Sequence, residues 1–176
     1  MENSLKKIPT TYGLFLGVVL SVVAIFAYTQ NLDLFLKPWF GLSLYALCVI
    51  AGVLSLMKNK IANNSYLSFR NSFTSYFITV LAGVAIFTFV TYILFNYVDN
   101  DASNYLKKMS IDKNIEVLKS IGTKPEKLAE TRAKLESENL FSIGNAIQTL
   151  IITYIIPLSI IGLLLAAAFK KNPPRN

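Results

Sequence analysis

Side chains that titrate, coordinate or attack are scarce in this 176-residue chain, and histidine is absent altogether. That removes imidazole general bases, Ser–His triads, the HExxH zinc helix and every imidazole metal site. The single cysteine, Cys48, falls inside an uncharged stretch. A lone thiol there can form no disulfide within the chain, and packing is its expected role. No glycine-rich phosphate loop, Walker motif or dinucleotide fingerprint occurs. No catalytic, cofactor-binding or metal-ligating set emerges, and a non-enzyme is expected. A lipid-handling enzyme would need ionisable groups gathered at one membrane face, such as Arg70 with Asn71, or Asp99 with Asp101.

The polar groups that remain are hydroxyls and amides in apolar surroundings. Asn71, Ser72, Thr74, Ser75, Thr79, Thr88 and Thr91 occupy one such stretch. Asn145, Gln148, Thr149 and Thr153 occupy another. Groups of this kind join helices by hydrogen bonds or line a pore. Gly13, Gly17 and Ser21 are spaced by four, a pattern that lets two helix backbones approach closely. That face serves packing within the chain, or else a homodimer or partner. Phe69, Phe73 and Phe77 also recur every four residues. They read as a helix tilting in from the interface, or as a docking face.

The elements that carry these residues follow from the charge pattern. Hydrophobic types make up 53 % of the chain, charged types 15 %, and the mean hydropathy is +0.49. A soluble domain carries about 25 % charged residues. The charges that exist cluster between Asp99 and Glu138, leaving residues 8–32, 38–57, 71–98 and 139–169 with none. Each stretch suffices for one crossing of about 20 helical residues and none for two. Leu14 to Ala27 shows no polar stripe of the sort a soluble core helix needs. The expected fold is all-α, a four-helix transmembrane bundle forming a single domain, with spans near 11–30, 38–57, 73–97 and 144–169. The apolar run after Lys6 and Lys7 exceeds a signal-peptide core and lacks a small-x-small cleavage site, so an uncleaved anchor is expected. Ionisable groups inside spans mark proton relays and ion pathways; these spans hold none, which argues against a coupled transporter. Spans 1–2 and 3–4 show no internal repeat of the kind transporters use.

Lys6, Lys7, Lys58, Lys60, Arg70, Lys170, Lys171 and Arg175 crowd the termini and the 58–70 loop, with no acid in that loop or in the tail. Loop 99–138 balances its bases with as many acids. Dense unpaired basic residues beside membrane ends favour cytoplasmic N- and C-termini. The net charge of +7 is therefore directed at anionic headgroups, and no nucleic-acid partner is expected.

In the connections, Pro38 suits the first turn of a helix and Trp39 an aromatic belt. Asn63-Asn64-Ser65 reads as a turn and Ser68 as an N-cap. Ile111, Ile115, Leu118 and Gly122 form a helical stripe ending in glycine, and Thr123-Lys-Pro-Glu126 resembles a capping box. Loop 99–138 is thus an amphipathic helical insertion between spans three and four. About forty residues build little core alone, so it should lie against the membrane or a partner. Pro157 should bend span four and free a carbonyl near residue 153.

Four pieces taken in order carry a resemblance: Tyr12-Gly-Leu-Phe-Leu-Gly17, Tyr66-Leu-Ser-Phe-Arg-Asn-Ser-Phe73, Asn96-Tyr-Val-Asp99 and Leu164-Leu-Ala-Ala-Ala-Phe-Lys-Lys171. Together they resemble a Bacteroidetes-type family of four-span bacterial membrane proteins known as domain of unknown function 4199. The resemblance covers essentially the whole chain. It implies an inner-membrane location, four helices and a variable outer loop, and supplies no activity or ligand. A proline often follows the acidic residue after span three in that family, whereas Asn100 stands here. The leading expectation is a non-enzymatic accessory or scaffold subunit of the bacterial inner membrane. Its partners would be the lipid bilayer and another membrane protein or a second copy. The alternative is a small permease or pore lined by Ser, Thr and Asn of spans three and four.

Overall fold

A computed structural model describes residues 2–171, with side chains from residue 6 onward. The elements in order are α1 (Glu2–Gln30), a 3₁₀ turn (Leu32–Leu36), α2 (Pro38–Ala62), and α3 (Phe69–Ile93), which continues as a π turn (Leu94–Val98). Then come α4 (Asn100–Ser120), α5 (Pro125–Ser137), α6 (Ile143–Thr149), a second π turn (Leu150–Ile155) and α7 (Ile156–Phe169). Among the described residues there is no strand, only an antiparallel bridge from Leu67 to Lys171. Four continuous helical segments are long and apolar enough to cross a membrane: Lys6–Gln30, Pro38–Ala62, Phe69–Val98 and Ile143–Phe169. The all-α four-helix expectation is met.

The helices overrun the expected spans because charge alone does not stop a helix. α2 passes Lys58 and Lys60 and ends where Asn64 (φ 55°) and Ser65 (φ 66°) take left-handed backbone, a conformation asparagine tolerates better than most. Ser68 then caps α3, its Oγ accepting the Asn71 N–H at 3.3 Å. Between α1 and α2 the expected plain turn is a 3₁₀ helix capped by Asn31, whose Oδ1 accepts the Asp33 N–H at 2.8 Å. Lys37 is extended because it precedes Pro38, the first residue of α2.

Two expectations need correction. The capping box at Thr123 does not form. Pro125 holds Lys124 extended (ψ 143°), so Lys124 takes the cap position and Thr123 lies outside the helix. Gly122, at φ +80°, makes the corner between α4 and α5. Pro157 does not break span four as a bare kink. The π turn at Leu150–Ile155 widens the helix just before it, and Pro157 enters the first turn of α7, where its missing N–H costs little.

Lipid tails give apolar helices no hydrophobic reason to associate, so close packing and hydrogen bonds must hold the bundle. The most extensive contact is α1 on α3. Leu16, Leu20 and Ala24 of α1, Leu44, Cys48 and Leu56 of α2, Val80, Val84 and Phe87 of α3 and Leu158 of α7 form the core. Tyr76 fills its middle. A Cβ built on Gly52 of α2 or on Gly162 of α7 would stand 2.5 Å from the Tyr76 ring, so glycine on both sides lets one ring join three helices. At the end carrying loop 99–138, Ala102 and Leu106 of α4 pack with Leu94, Phe95, Leu32 and Phe35. The insertion is thereby seated on the bundle.

Candidate functional site

Two ends of the bundle hold the polar groups, the terminal side (near residues 9, 60 and 170) and the loop side (near residues 30, 98 and 142). On the terminal side, Thr79 Oγ1 lies 2.7 Å from Ser55 Oγ, 3.1 Å from the Pro9 carbonyl and 3.0 Å from the Ser75 carbonyl. A hydroxyl has one proton, so Thr79 donates to a carbonyl and accepts from Ser55. Asn59 Nδ2 donates to Ser75 Oγ at 3.1 Å, and Asn63 Nδ2 donates to the Asn59 carbonyl at 2.7 Å. Ser55, Asn59, Ser72, Ser75 and Thr79 are all buried. The hydrogen bonds of Ser55, Asn59, Ser75 and Thr79 tie α1, α2 and α3 together, whereas the buried Ser72 Oγ has no partner among the described residues. Ser55 and Asn59 were not foreseen. Their spacing of four on α2 is the signal that places them on one face.

The same end is clasped to the tail. Lys60 Nζ donates to the Phe169 carbonyl at 2.8 Å, at the C-terminus of α7, where a cation is favoured. Leu67 and Lys171 exchange two backbone hydrogen bonds of 2.8 Å, and the Lys171 ammonium lies 5.4 Å from the Tyr66 ring centroid. Arg175, counted with the basic tail, lies outside the described residues.

The small-residue stripe is occupied within the chain. A Cβ on Gly13 would meet the Ala82 Cβ at 2.7 Å and the Thr79 carbonyl at 2.9 Å, and one on Gly17 would meet the Ile86 side chain at 2.7 Å. The Ser21 hydroxyl is buried and donates to the Gly17 carbonyl at 2.7 Å. The Phe stripe divides. Phe69 is exposed at the start of α3, while Phe73 and Phe77 stack at 5.6 Å and are half-buried, with Phe73 turned toward Gly162 of α7.

On the loop side, Asp99 caps α4, accepting the Ala102 N–H and the Tyr28 O–H, each at 2.8 Å. The Ala102 amide, followed by the Tyr28 hydroxyl, holds its carboxyl below the ordinary carboxylate value. The Tyr105 hydroxyl donates to Asp33 at 2.8 Å, a bond that raises its own pKa. Asp99 is thus a structural cap, and Asp101 beside it and the distant Arg70 are exposed. Among the described residues no group of three or more Cys, Asp or Glu is gathered as a metal site would require. Of the other expected polar groups, Thr91 bonds back to the Phe87 carbonyl at 2.9 Å, Asn145 Nδ2 donates to the Asn139 carbonyl at 2.7 Å, and Gln148 and Thr153 are exposed.

The family model described as "Protein of unknown function (DUF4199)" matches residues 11–171, from the start of span one to the clasp at Lys171. The chain belongs to this family. No curated protein and no solved structure matches it. In this DUF4199 chain the matched region covers all four spans and the α4–α5 insertion.

Span four is the least covered span of the DUF4199 bundle. Within the most apolar window of each span, 17 % of span four is buried, against 39, 33 and 33 % for the first three. Span four leans on α3 and, more lightly, on α2. Ile143, Ile147, Ile151, Ile156 and Ile160 follow one another at intervals of four or five and are all exposed, as is Ile152 beside Ile151. They form a β-branched ridge along the flank. Span four is also the most apolar of the four, the one sign in its composition that it lies outermost.

Proposed function

We propose that this protein is a non-enzymatic accessory or scaffold subunit that packs against another membrane protein through span four. The observation that carries the reading is the exposed isoleucine ridge from Ile143 to Ile160 on a span only 17 % buried. β-branched side chains are stiff at χ1, so such a ridge loses little side-chain freedom when a second helix packs on it. The interior supports the same reading. The Tyr76 ring, pressed between Gly52 and Gly162, fills the bundle centre where a permease would need a path. The hydroxyls of Ser55 and Thr79 bond to one another instead of lining a channel.

We place the protein in the bacterial inner membrane with both termini in the cytoplasm, on the strength of Lys58, Lys60 and Arg70 and the basic tail facing one side. A reporter fused to the C-terminus should be active only as a cytoplasmic reporter. Activity of a periplasmic reporter there would reverse the assignment.

The scaffold reading is tested by purifying the protein from membranes in a mild detergent. A discrete, stoichiometric membrane-protein partner is expected, lost when Ile152 and Ile156 are changed to Ala. A strictly monomeric protein with no partner would refute it.

A further inference from the structure

Three hollows run in sequence on the loop side. The first, about 200 Å³, lies between the two π turns and is walled by Phe35, Phe87, Phe95 and Tyr154, with Thr88 and Thr149 on its sides. The second, about 360 Å³, is polar and is lined by Asn96, Asn100, Asn104, Asn139, Lys107 and Glu138. Phe141 borders both, held by the Asn96 Nδ2, which donates to its carbonyl at 2.9 Å. Asn104 and Lys107 then border the third, about 160 Å³, beneath Arg132.

The first hollow sits where spans three and four end, bounded by Leu140 and Phe141 and by Phe35 of the 3₁₀ turn, and the second lies beside it between Asn96, α4 and Asn139. The second hollow falls at the lower end of the range of about 300–1,000 Å³ typical of ligand pockets, and the first is smaller than that, room for part of a ligand only. π turns are frequent at functional sites, and here two of them flank one aromatic hollow. The polar compartment is lined by one charge of each sign, Glu138 and Lys107, and one of the three Lys107 N–H groups is engaged by the Glu136 carbonyl at 2.6 Å. In the third compartment Arg132 is paired with Asp112 and Glu136, and Lys108 adds a cation beyond Lys107, on the side away from Glu138.

We propose that this crevice binds one phospholipid with a zwitterionic amine headgroup. One acyl chain enters the hollow between the π turns, the phosphate lies at Lys107 and the ammonium at Glu138, and the side-chain amides of Asn100, Asn104 and Asn139 bond the ester and phosphate oxygens. An apolar compartment that shares the Phe141 wall with a compartment lined by one cation and one anion, not paired with each other, matches an amphiphile of that charge pattern. An anionic lipid would leave the Glu138 carboxylate without a counter-charge. A choline headgroup has no N–H to donate to it.

The test uses the full chain in nanodiscs holding equal amounts of phosphatidylethanolamine, phosphatidylcholine and phosphatidylglycerol. It is then released into the gas phase, and the lipid retained is counted by native mass spectrometry. One phosphatidylethanolamine should be retained, at least five-fold over each of the others. Glu138→Gln should abolish the preference over phosphatidylglycerol, and Lys107→Gln should weaken retention of all three. Thr88→Phe, which fills the apolar hollow, should remove the adduct while leaving the protein monodisperse. Ala129→Ser, on the exposed face of α5, serves as the control and should change nothing. Equal retention of the three lipids, preference for phosphatidylglycerol, no adduct, or an adduct indifferent to Glu138→Gln and Thr88→Phe would each overturn the proposal.

Discussion

On the terminal side of the bundle, α1, α2 and α3 meet through glycines and hydroxyls. Gly13 and Gly17 lie against α3, and Ser55, Asn59, Ser75 and Thr79 hydrogen-bond between helices. On the loop side the helices meet through rings. Phe35, Phe95 and Phe141 meet edge-on or tilted at 5.1–5.5 Å, the helices widen into π turns, and hollows remain between them. Small residues allow backbones to close and leave no room for anything else. Rings hold helices apart and leave space beside them. The first half is closed by contact, and the second keeps open space between its helices.

Glycine substitutions separate the halves most strongly. Gly52→Ala puts a methyl 2.5 Å from the Tyr76 ring, an overpacking that should cost about 1–3 kcal/mol and lower the thermal transition in detergent. Gly144→Ala, on the loop side, meets only Ser142 Oγ at 4.0 Å, and should be neutral or stabilising by about 0.5–1 kcal/mol, as glycine is poor inside a helix. Equal effects at the two sites would erase the distinction.

Hydroxyl removal makes the same contrast on a smaller scale. Thr79→Val takes away the bonds to Ser55 and Pro9 and should cost about 0.6 kcal/mol, the average for such bonds in membranes, and no more than about 1.7 kcal/mol. Thr149→Val, at the hollow, should shift stability by less than about 0.5 kcal/mol. Chemical denaturation in mixed micelles measures both.

The seating of α4 should respond to acid. The Asp99 carboxyl is ordinarily half-protonated at pH 3.8 and is held lower in the fold by the Ala102 amide and the Tyr28 hydroxyl. Its support is therefore complete above pH 3.8 and fades as the pH falls through the lowered value. Hydrogen exchange of amides 100–106 should accelerate in that window after correction for the intrinsic rate. In Asp99→Asn the window should vanish. An unchanged acid response in the variant would assign it to another group.

The smallest effect belongs to the insertion. Arg132 pairs with Asp112 and Glu136, all well exposed. Arg132→Ala should change stability by less than about 1 kcal/mol yet speed proteolysis between α4 and α5, which make few other contacts.

The four spans were legible because lipid imposes a length and a composition that no other solvent does. The turn at Asn63–Ser65, the Ser68 cap and the α4–α5 corner were legible because each depends on residues within a few positions. The capping box failed for an equally local reason, since Pro125 restricts the residue before it. What could not be read were relations between helices. Nothing in Ser55 or Asn59 alone names Ser75 and Thr79 as partners. Nothing in the Gly13 and Gly17 stripe says whether the helix against it belongs to the same chain. The crevice draws on the 3₁₀ turn, α3, both π turns and α4, so it exists only after the helices have packed.

The reading of span four as a partner surface is tested most directly by a photocrosslinking residue placed in living cells at Ile152, Ile156 and Ile160, with Leu14, Val18 and Val22 of α1 as the matched exposed face. The span-four positions should each yield the same discrete protein adduct, and the α1 positions only lipid. Lipid adducts alone from span four, or the same protein adducts from both faces, would contradict it.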